Sequence, residues 1–293
     1  MNILSFDIEE WYIEKMFRGG ARWKYDAYDA MLERLLDTLD AHNQKATFFC
    51  LGALIEHFPG VVRRIADRGH EIGCHSYAHK WVNQQTREQF LEDTHRATDS
   101  LRQATAQPVE SYRAPAFSIG KDNIWAFDVL AECGIRNDAS IFPGIRDFGG
   151  FPSFPDEGKP CRVMHDGNVI NEFPITLCQL PVLDKKIAYS GGGYFRLLPT
   201  LFVKSQMRSA AYTMCYFHIA DLVDFKSKLM SKDEFEKYFK TAGTLKNRLS
   251  RYVKSNVGRR RAFRGLESLL DEFSFLTVAE AANDADNFSE VKI

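Results

Sequence analysis

Two periods of apolar residues alternate along the first half of this chain. Ile3-Leu-Ser-Phe and Ala46-Thr-Phe-Phe-Cys-Leu51 are short apolar runs, the pattern of strands buried on both faces. Between them Met31, Leu35, Leu36 and Leu39 form a helical stripe over 28–39, which predicts an amphipathic helix. Pro59 opens a further helix with Val61, Val62, Ile65 and Ala66 inside, Gly69 ends it, and Glu71-Ile-Gly-Cys74 supplies a third strand. Thr86 and Gln89 have the spacing of a capping box ahead of Phe90, Leu91, Thr94, Ala97 and Leu101. A strand-to-loop junction at Ser111 to Pro115, a helix over 123–133 and a strand through Ile135 to Asp138 continue the alternation. Strands alternating with helices predict an α/β fold with a parallel sheet and right-handed crossovers.

The pattern breaks between Phe142 and Pro199, where glycine and proline cluster in 148–155 and 191–196. This stretch predicts long loops placed as covers over a site. Met214 to Ile219 returns to strand character, Ser231 and Glu234 open a charged helical segment, and Leu266 to Leu270 continue a helix. Phe273 to Val278 reads as the last strand, and from Asp284 onward a frayed tail is expected. The domain plan is one unit over 1–282, with a helical segment at about 226–270 and a flexible tail at 283–293.

Candidate chemistry lies where strands end. Asp7, Glu9 and Glu10 follow the first apolar run, and a strand that ends in carboxylates delivers them to a cleft rather than to a core. His75-Ser-Tyr-Ala-His79 follows the third strand. Placed on one turn of helix, imidazoles four apart reach the same divalent metal, although the same pair also arises by chance on a solvated helix. Asp7, His75, His79, Arg113, Asp138 and His218 all fall at predicted strand ends, which in parallel α/β folds is where chemistry gathers. His95, inside a predicted helix without a metal-like partner, reads as a surface or satisfied histidine.

Composition narrows the function further. A net charge of −1 offers no global field for nucleic acid. The local run Arg259-Arg-Arg261, with Arg248, Arg251, Lys254 and Arg264 nearby, reads as a solvated helix face, and a docking surface for an anionic glycan or a carrier's pyrophosphate is the sharper alternative. No apolar run of membrane-spanning length and no leader-like segment is seen, so a cytoplasmic protein or a processed fragment is expected. The six cysteines form no Cys-x-x-Cys pair and read as core residues of a reducing compartment.

Four separated motifs resemble the NodB-homology polysaccharide deacetylases, carbohydrate esterase family four. These are Ser5-Phe-Asp7-Ile-Glu9, His75-Ser-Tyr-Ala-His79, Tyr112-Arg113-Ala-Pro115-Ala-Phe117-Ser and Phe217-His218, in the family's order. Together with Gly191-Gly-Gly-Tyr-Phe-Arg-Leu-Leu-Pro199, the first motif is most similar to the subgroup linked to exosortase and exopolysaccharide gene clusters. The resemblance implies a distorted (β/α) barrel with fewer than eight regular repeats. It implies one divalent metal ion, Zn²⁺ with Co²⁺, Mn²⁺ or Fe²⁺ as alternatives, held by an acidic residue with His75 and His79. The family's usual second aspartate is replaced by Ile8, so the acidic ligand is Glu9 or Glu10. Strand alternation puts Asp7 and Glu9 on one face, which favours Glu9. The family roles then make Asp7 the base, Arg113 its orienting cation, His218 the acid and Asp138 the support of that histidine, an N-cap being the competing role for Asp138. The implied substrate is an N-acetylated sugar, oligosaccharide or polysaccharide precursor in bacterial exopolysaccharide, capsule or O-antigen synthesis. Hydrolysis of a small amide and a catalytically silent glycan-binding barrel are the alternatives. Trp11, Tyr194 and Phe195 are candidates for sugar platforms and equally for core packing.

Overall fold

The computed structural model describes residues 1–146, 148–155, 158–180, 185–239 and 241–293. Parts of the expected covering loops (147, 156–157 and 181–184) and residue 240 of the helical segment lie outside the described residues.

Strand β1 (Asn2–Ile8) leads into α1 (Glu10–Phe17) and α2 (Arg22–Ala41), followed by β2 (Thr47–Cys50), α3 (Leu54–His57), α4 (Pro59–Asp67) and β3 (Glu71–Cys74). Then come α5 (Arg87–Thr105), β4 (Ser111–Tyr112), α6 (Ala126–Glu132) and β5 (Asn137–Asp138). These elements follow the apolar periods closely. The α2 helix buries Tyr28, Leu32, Leu35, Leu36 and Leu39, each such side chain contributing roughly 1.5–3 kcal/mol by leaving water. Thr86 and Gln89 form the expected reciprocal cap on α5.

The second half departs from expectation. In place of uninterrupted loops, β6 (Cys161–His165) and β7 (Asn168–Glu172) form an antiparallel hairpin that joins the main sheet beside β5. Its two-residue turn is Asp166-Gly167, both at positive φ, the chemistry a tight hairpin requires. A small pair, β8 (Cys178–Leu180) and β9 (Lys185–Ile187), follows. The glycine run ends in α7 (Gly192–Leu197), and α8 (Thr200–Ser209), β10 (Thr213–His218) and α9 (Ile219–Leu222) complete that region. Helices α10 (Lys232–Phe239), α11 (Leu245–Asn256) and α12 (Arg259–Leu270) occupy the charged helical segment.

The expected strand at 273–278 is reduced to a single bridge between Leu276 and Ile3, because α13 (Val278–Ala281) begins there under a Thr277–Glu280 capping box. The last residues are not frayed. Ser289–Lys292 form β11 and pair in parallel with β6, with Val291 buried.

The strand order β10-β1-β2-β3-β4-β5-β7-β6-β11 makes one sheet, parallel except at the hairpin. Helices flank it as the α/β class demands, and fewer than eight regular repeats are present. Among the described residues the sheet stays open between β10 and β11. Phe6 stacks on Phe48 and meets Phe217, which packs edge-on against Phe195. Phe195 and Trp11 are thereby core residues and not platforms. Five cysteines are buried and Cys178 is half-buried. No described helix is long and apolar enough to cross a membrane.

Candidate metal centre and hydrolytic site

The site forms where β1, β3, β4 and β10 end. In parallel register Asp7 stands beside His218 of β10, so the first and last motifs meet by strand pairing alone. Arg113, just past β4, reaches Asp7 across two intervening strands. At a spacing of about 4.8 Å per strand, such a reach requires both side chains to point into the concave side of a curled sheet. Its guanidinium crosses the face of Phe49, 4.2 Å from the ring centroid, and Nη1 donates to Asp7 Oδ1 at 2.8 Å. Gly73 makes room for that ring, since a Cβ there would lie 2.6 Å from Phe49.

His75 and His79 do not share a helix turn. They stand on a loop after β3 in which Ser76 (φ 67°) and His79 (φ 59°) adopt left-handed backbone, a conformation uncommon for residues with a Cβ. The His79 N–H donates to Ser76 Oγ, and the Tyr77 N–H to the Asp93 carboxylate. The Gly52 and Ala53 N–H groups donate to the Ser76 and Tyr77 carbonyls, tying the loop to the end of β2. The i, i+4 spacing therefore delivers both imidazoles through a tied turn rather than through helical periodicity.

Glu9 leaves the strand and caps α1, yet its carboxylate returns to the same point. Its Oε2 lies 2.6 Å from His79 Nε2 and 3.5 Å from His75 Nε2, and a ligand atom from each of the three lies within 4.8 Å of the others. His75 Nδ1 is 2.7 Å from the Arg113 carbonyl. A carbonyl only accepts, so Nδ1 carries a proton, which leaves Nε2, on the Glu9 side, as the nitrogen able to bind a metal, the second-sphere arrangement of a metal-binding histidine. Two imidazoles and a carboxylate are a donor set that fits a zinc-type ion. Glu10 turns elsewhere. Its Oε1 accepts from the Ala220 N–H at 2.7 Å, which ties α1 to the segment after His218.

Charge is balanced within this cluster. Burial would raise Asp7, but Arg113 with His75 and His218 outweighs it and holds the carboxyl below its ordinary range. Glu9 behaves likewise, burial opposing and His79 and His75 prevailing. Burial would lower His218, yet Asp221, Glu9 and Asp7 bring it up to about 10. Its Nε2 lies 3.8 Å from both Asp7 Oδ2 and Glu9 Oε1.

The carboxylate behind His218 is Asp221, not Asp138. Asp221 Oδ2 is 3.2 Å from His218 Nδ1 and accepts the His218 N–H at 3.1 Å. Against burial, His218 and Arg196 bring Asp221 down to about 2. The signal available in the sequence was the His218-x-x-Asp221 spacing, a capping arrangement at the start of α9. Asp138 accepts from the Ser140 hydroxyl and N–H and pairs across strands with Glu172. Burial raises both carboxyls, and Asp138 pushes Glu172 well up.

The basic run is also not a uniformly solvated face. Arg259 is buried and donates to the Ser255 and Ala220 carbonyls and to Ser227 Oγ.

Residues 25–137 match the polysaccharide deacetylase family model, and residues 139–283 match a domain of unknown function, DUF3473. The two matches meet on β5, inside the sheet. A peptidoglycan-N-acetylglucosamine deacetylase of Bacillus cereus is 34% identical over 94 residues, 32% of this chain and 34% of that protein. A putative polysaccharide deacetylase of Bacillus subtilis is 26% identical over 192 residues, 60% of this chain and 66% of its own length. The chain thus spans only about a third of the first of these relatives. A putative polysaccharide deacetylase structure from Mycobacterium smegmatis aligns over all of this chain and 92% of its own, with a TM-score of 0.64 at 17% identity, a likeness of fold. Residues 25–137 thus match the polysaccharide deacetylase family, and the fold over the whole chain is like that of the Mycobacterium smegmatis structure.

Proposed function

We propose that this protein is a metal-dependent hydrolase that removes N-acetyl groups from an amino sugar. The observation that carries this reading is the convergence of Glu9, His75 and His79 on one point, with the Asp7–Arg113 pair and His218 beside it. The names of the relatives, which include a peptidoglycan-N-acetylglucosamine deacetylase, support the substrate class.

Glu9, His75 and His79 would hold the ion, Zn²⁺ in the first instance and Co²⁺, Mn²⁺ or Fe²⁺ in the same donor set. When bound, such an ion would supply an acidified water and polarisation of the acetamide carbonyl. Asp7, kept ionised and oriented by Arg113, accepts a proton from the attacking water. His218 Nε2, on the facing side, donates a proton to the departing nitrogen. The C–N bond breaks, and acetate and a free amine leave. Asp221 fixes which ring nitrogen of His218 faces the cleft. Asp138 has no step in this reaction. The resemblance to the exopolysaccharide-associated subgroup supports a substrate in bacterial exopolysaccharide, capsule or O-antigen assembly.

Metal analysis of purified protein, followed by an acetate-release assay on N-acetylhexosamine oligomers before and after chelation, tests this. About one divalent ion per chain is expected, with activity lost on chelation and regained on adding the metal back. Tight metal with no acetate released would replace the hydrolase with a glycan-binding protein. Release from small amides alone would replace the sugar substrate.

A further inference from the structure

The glycine-rich motif ending in Arg196 has no step in the mechanism above, yet its arginine points at the back of the acid. Gly191 approaches β10 so closely that a Cβ would lie 2.2 Å from the Tyr216 carbonyl oxygen, and Gly192 sits at φ +53°. This seats α7 against the strand that carries His218. Arg196, on α7, is 6% exposed. Its Nη1 and Nη2 donate to the Ser255 and Lys254 carbonyls at 2.9 and 2.7 Å. Those carbonyls lie in the last turn of α11, where helix carbonyls lack intrahelical partners and favour a cation. The remaining side of the guanidinium, Nε, lies 3.3 Å from Asp221 Oδ1, an ion pair outside hydrogen-bond alignment.

Asp221 is therefore gripped from both ends. One oxygen faces Arg196, and the other faces the Nδ1 and backbone N–H of His218. A carboxylate with one oxygen engaged cannot rotate freely, so the ring it holds cannot either. A second arginine reinforces the frame, since Arg259 bonds both the Ser255 carbonyl of α11 and the Ala220 carbonyl beside Asp221. Gly258 allows this close turn, because a Cβ there would meet the Arg196 carbonyl oxygen at 2.0 Å.

We propose that Arg196 is a positioning residue for His218, acting through Asp221, and that the carboxyl end of α11 sets Arg196. This rests on the deacetylase reading only for its kinetic consequence. The geometric claim stands apart from it.

The test uses the full zinc-loaded chain as wild type, R196Q, R196K and D221N, assayed on an N-acetylchitooligosaccharide and on an activated aryl acetate, whose leaving group needs no proton. R196Q and D221N should lose about tenfold or more in kcat on the amide and no more than about threefold on the ester, with R196K between wild type and R196Q. Equal losses on both substrates, or none on the amide, would overturn the proposal. A crystal structure of R196Q provides a readout independent of turnover: the Asp221 carboxylate and the His218 ring should be rotated from their present contacts, and an unmoved pair refutes the claim. A wild type that binds zinc and releases no acetate would end the deacetylase reading, and the structural arm would still decide the role of Arg196.

Discussion

Two groups of buried carboxylates stand on this one sheet, and their surroundings drive them in opposite directions. Asp7 and Glu9 face Arg113, His75, His79 and His218, and both are held below the ordinary carboxyl range although burial opposes it. Asp138 and Glu172 face each other across β5 and β7, with Ser140 and the Ile141 N–H as their hydrogen-bond donors. No described cation forms an ion pair with either, and both are raised by burial. A place at the carboxyl end of a strand therefore does not by itself bring Asp138 to the Glu9–His75–His79 cluster. The count of cations around a buried acid decides whether it is an ionised group ready to accept a proton or a member of a pair that shares one.

The sharpest way to break this contrast is D7N beside D138N. The first should lower kcat on an N-acetylated oligomer by about 10²–10⁴-fold, the usual range for a lost general base, and D138N should stay within about tenfold of wild type. Equal losses would place Asp138 back in the reaction. Next in size is R113M, which leaves Asp7 buried without its partner. Urea unfolding should show a loss of about 3–5 kcal/mol, and a loss below about 1 kcal/mol would mean that Asp7 is not dependent on that pair.

The smallest effect sharpens the other side. Glu172 holds its proton in the folded protein above the value of 4.5 it has when free. A raised carboxyl contributes stability that is complete below that free value and lost as pH rises toward the folded one. Wild type should lose unfolding free energy as pH rises above the free value, and E172Q should show a shallower decline over the same rise. Parallel curves would show that Glu172 is already ionised in the folded state.

Much of this was legible in the sequence, for reasons that also mark where reading stopped. Strands buried on both faces and helices with one apolar stripe have distinct periods, so β1 through β5 and their helices could be traced, and the motif residues fell at their ends. The hairpin of β6 and β7 was hidden because glycine and proline dominate its surroundings, although Asp166-Gly167 between Val163 and Ile170 carried a turn signal. The last strand was hidden because β11 alternates and is largely exposed. The partner of His218 was misassigned because Asp138 ends a strand, as the other site residues do, and Asp221 lies three positions away inside a single turn. Arg259 was misjudged for a similar reason: a run of arginines gives no hint of which one turns inward.

Arg113 holds two different parts of the site with two different atoms. Its guanidinium grips Asp7, and its own carbonyl fixes the His75 ring. Both contacts pass through one residue, so a displacement of Arg113 would shift the proposed proton acceptor and the proposed metal-binding ring together. Inserting or deleting one residue between Tyr112 and Ala114 would therefore dislodge both at a stroke.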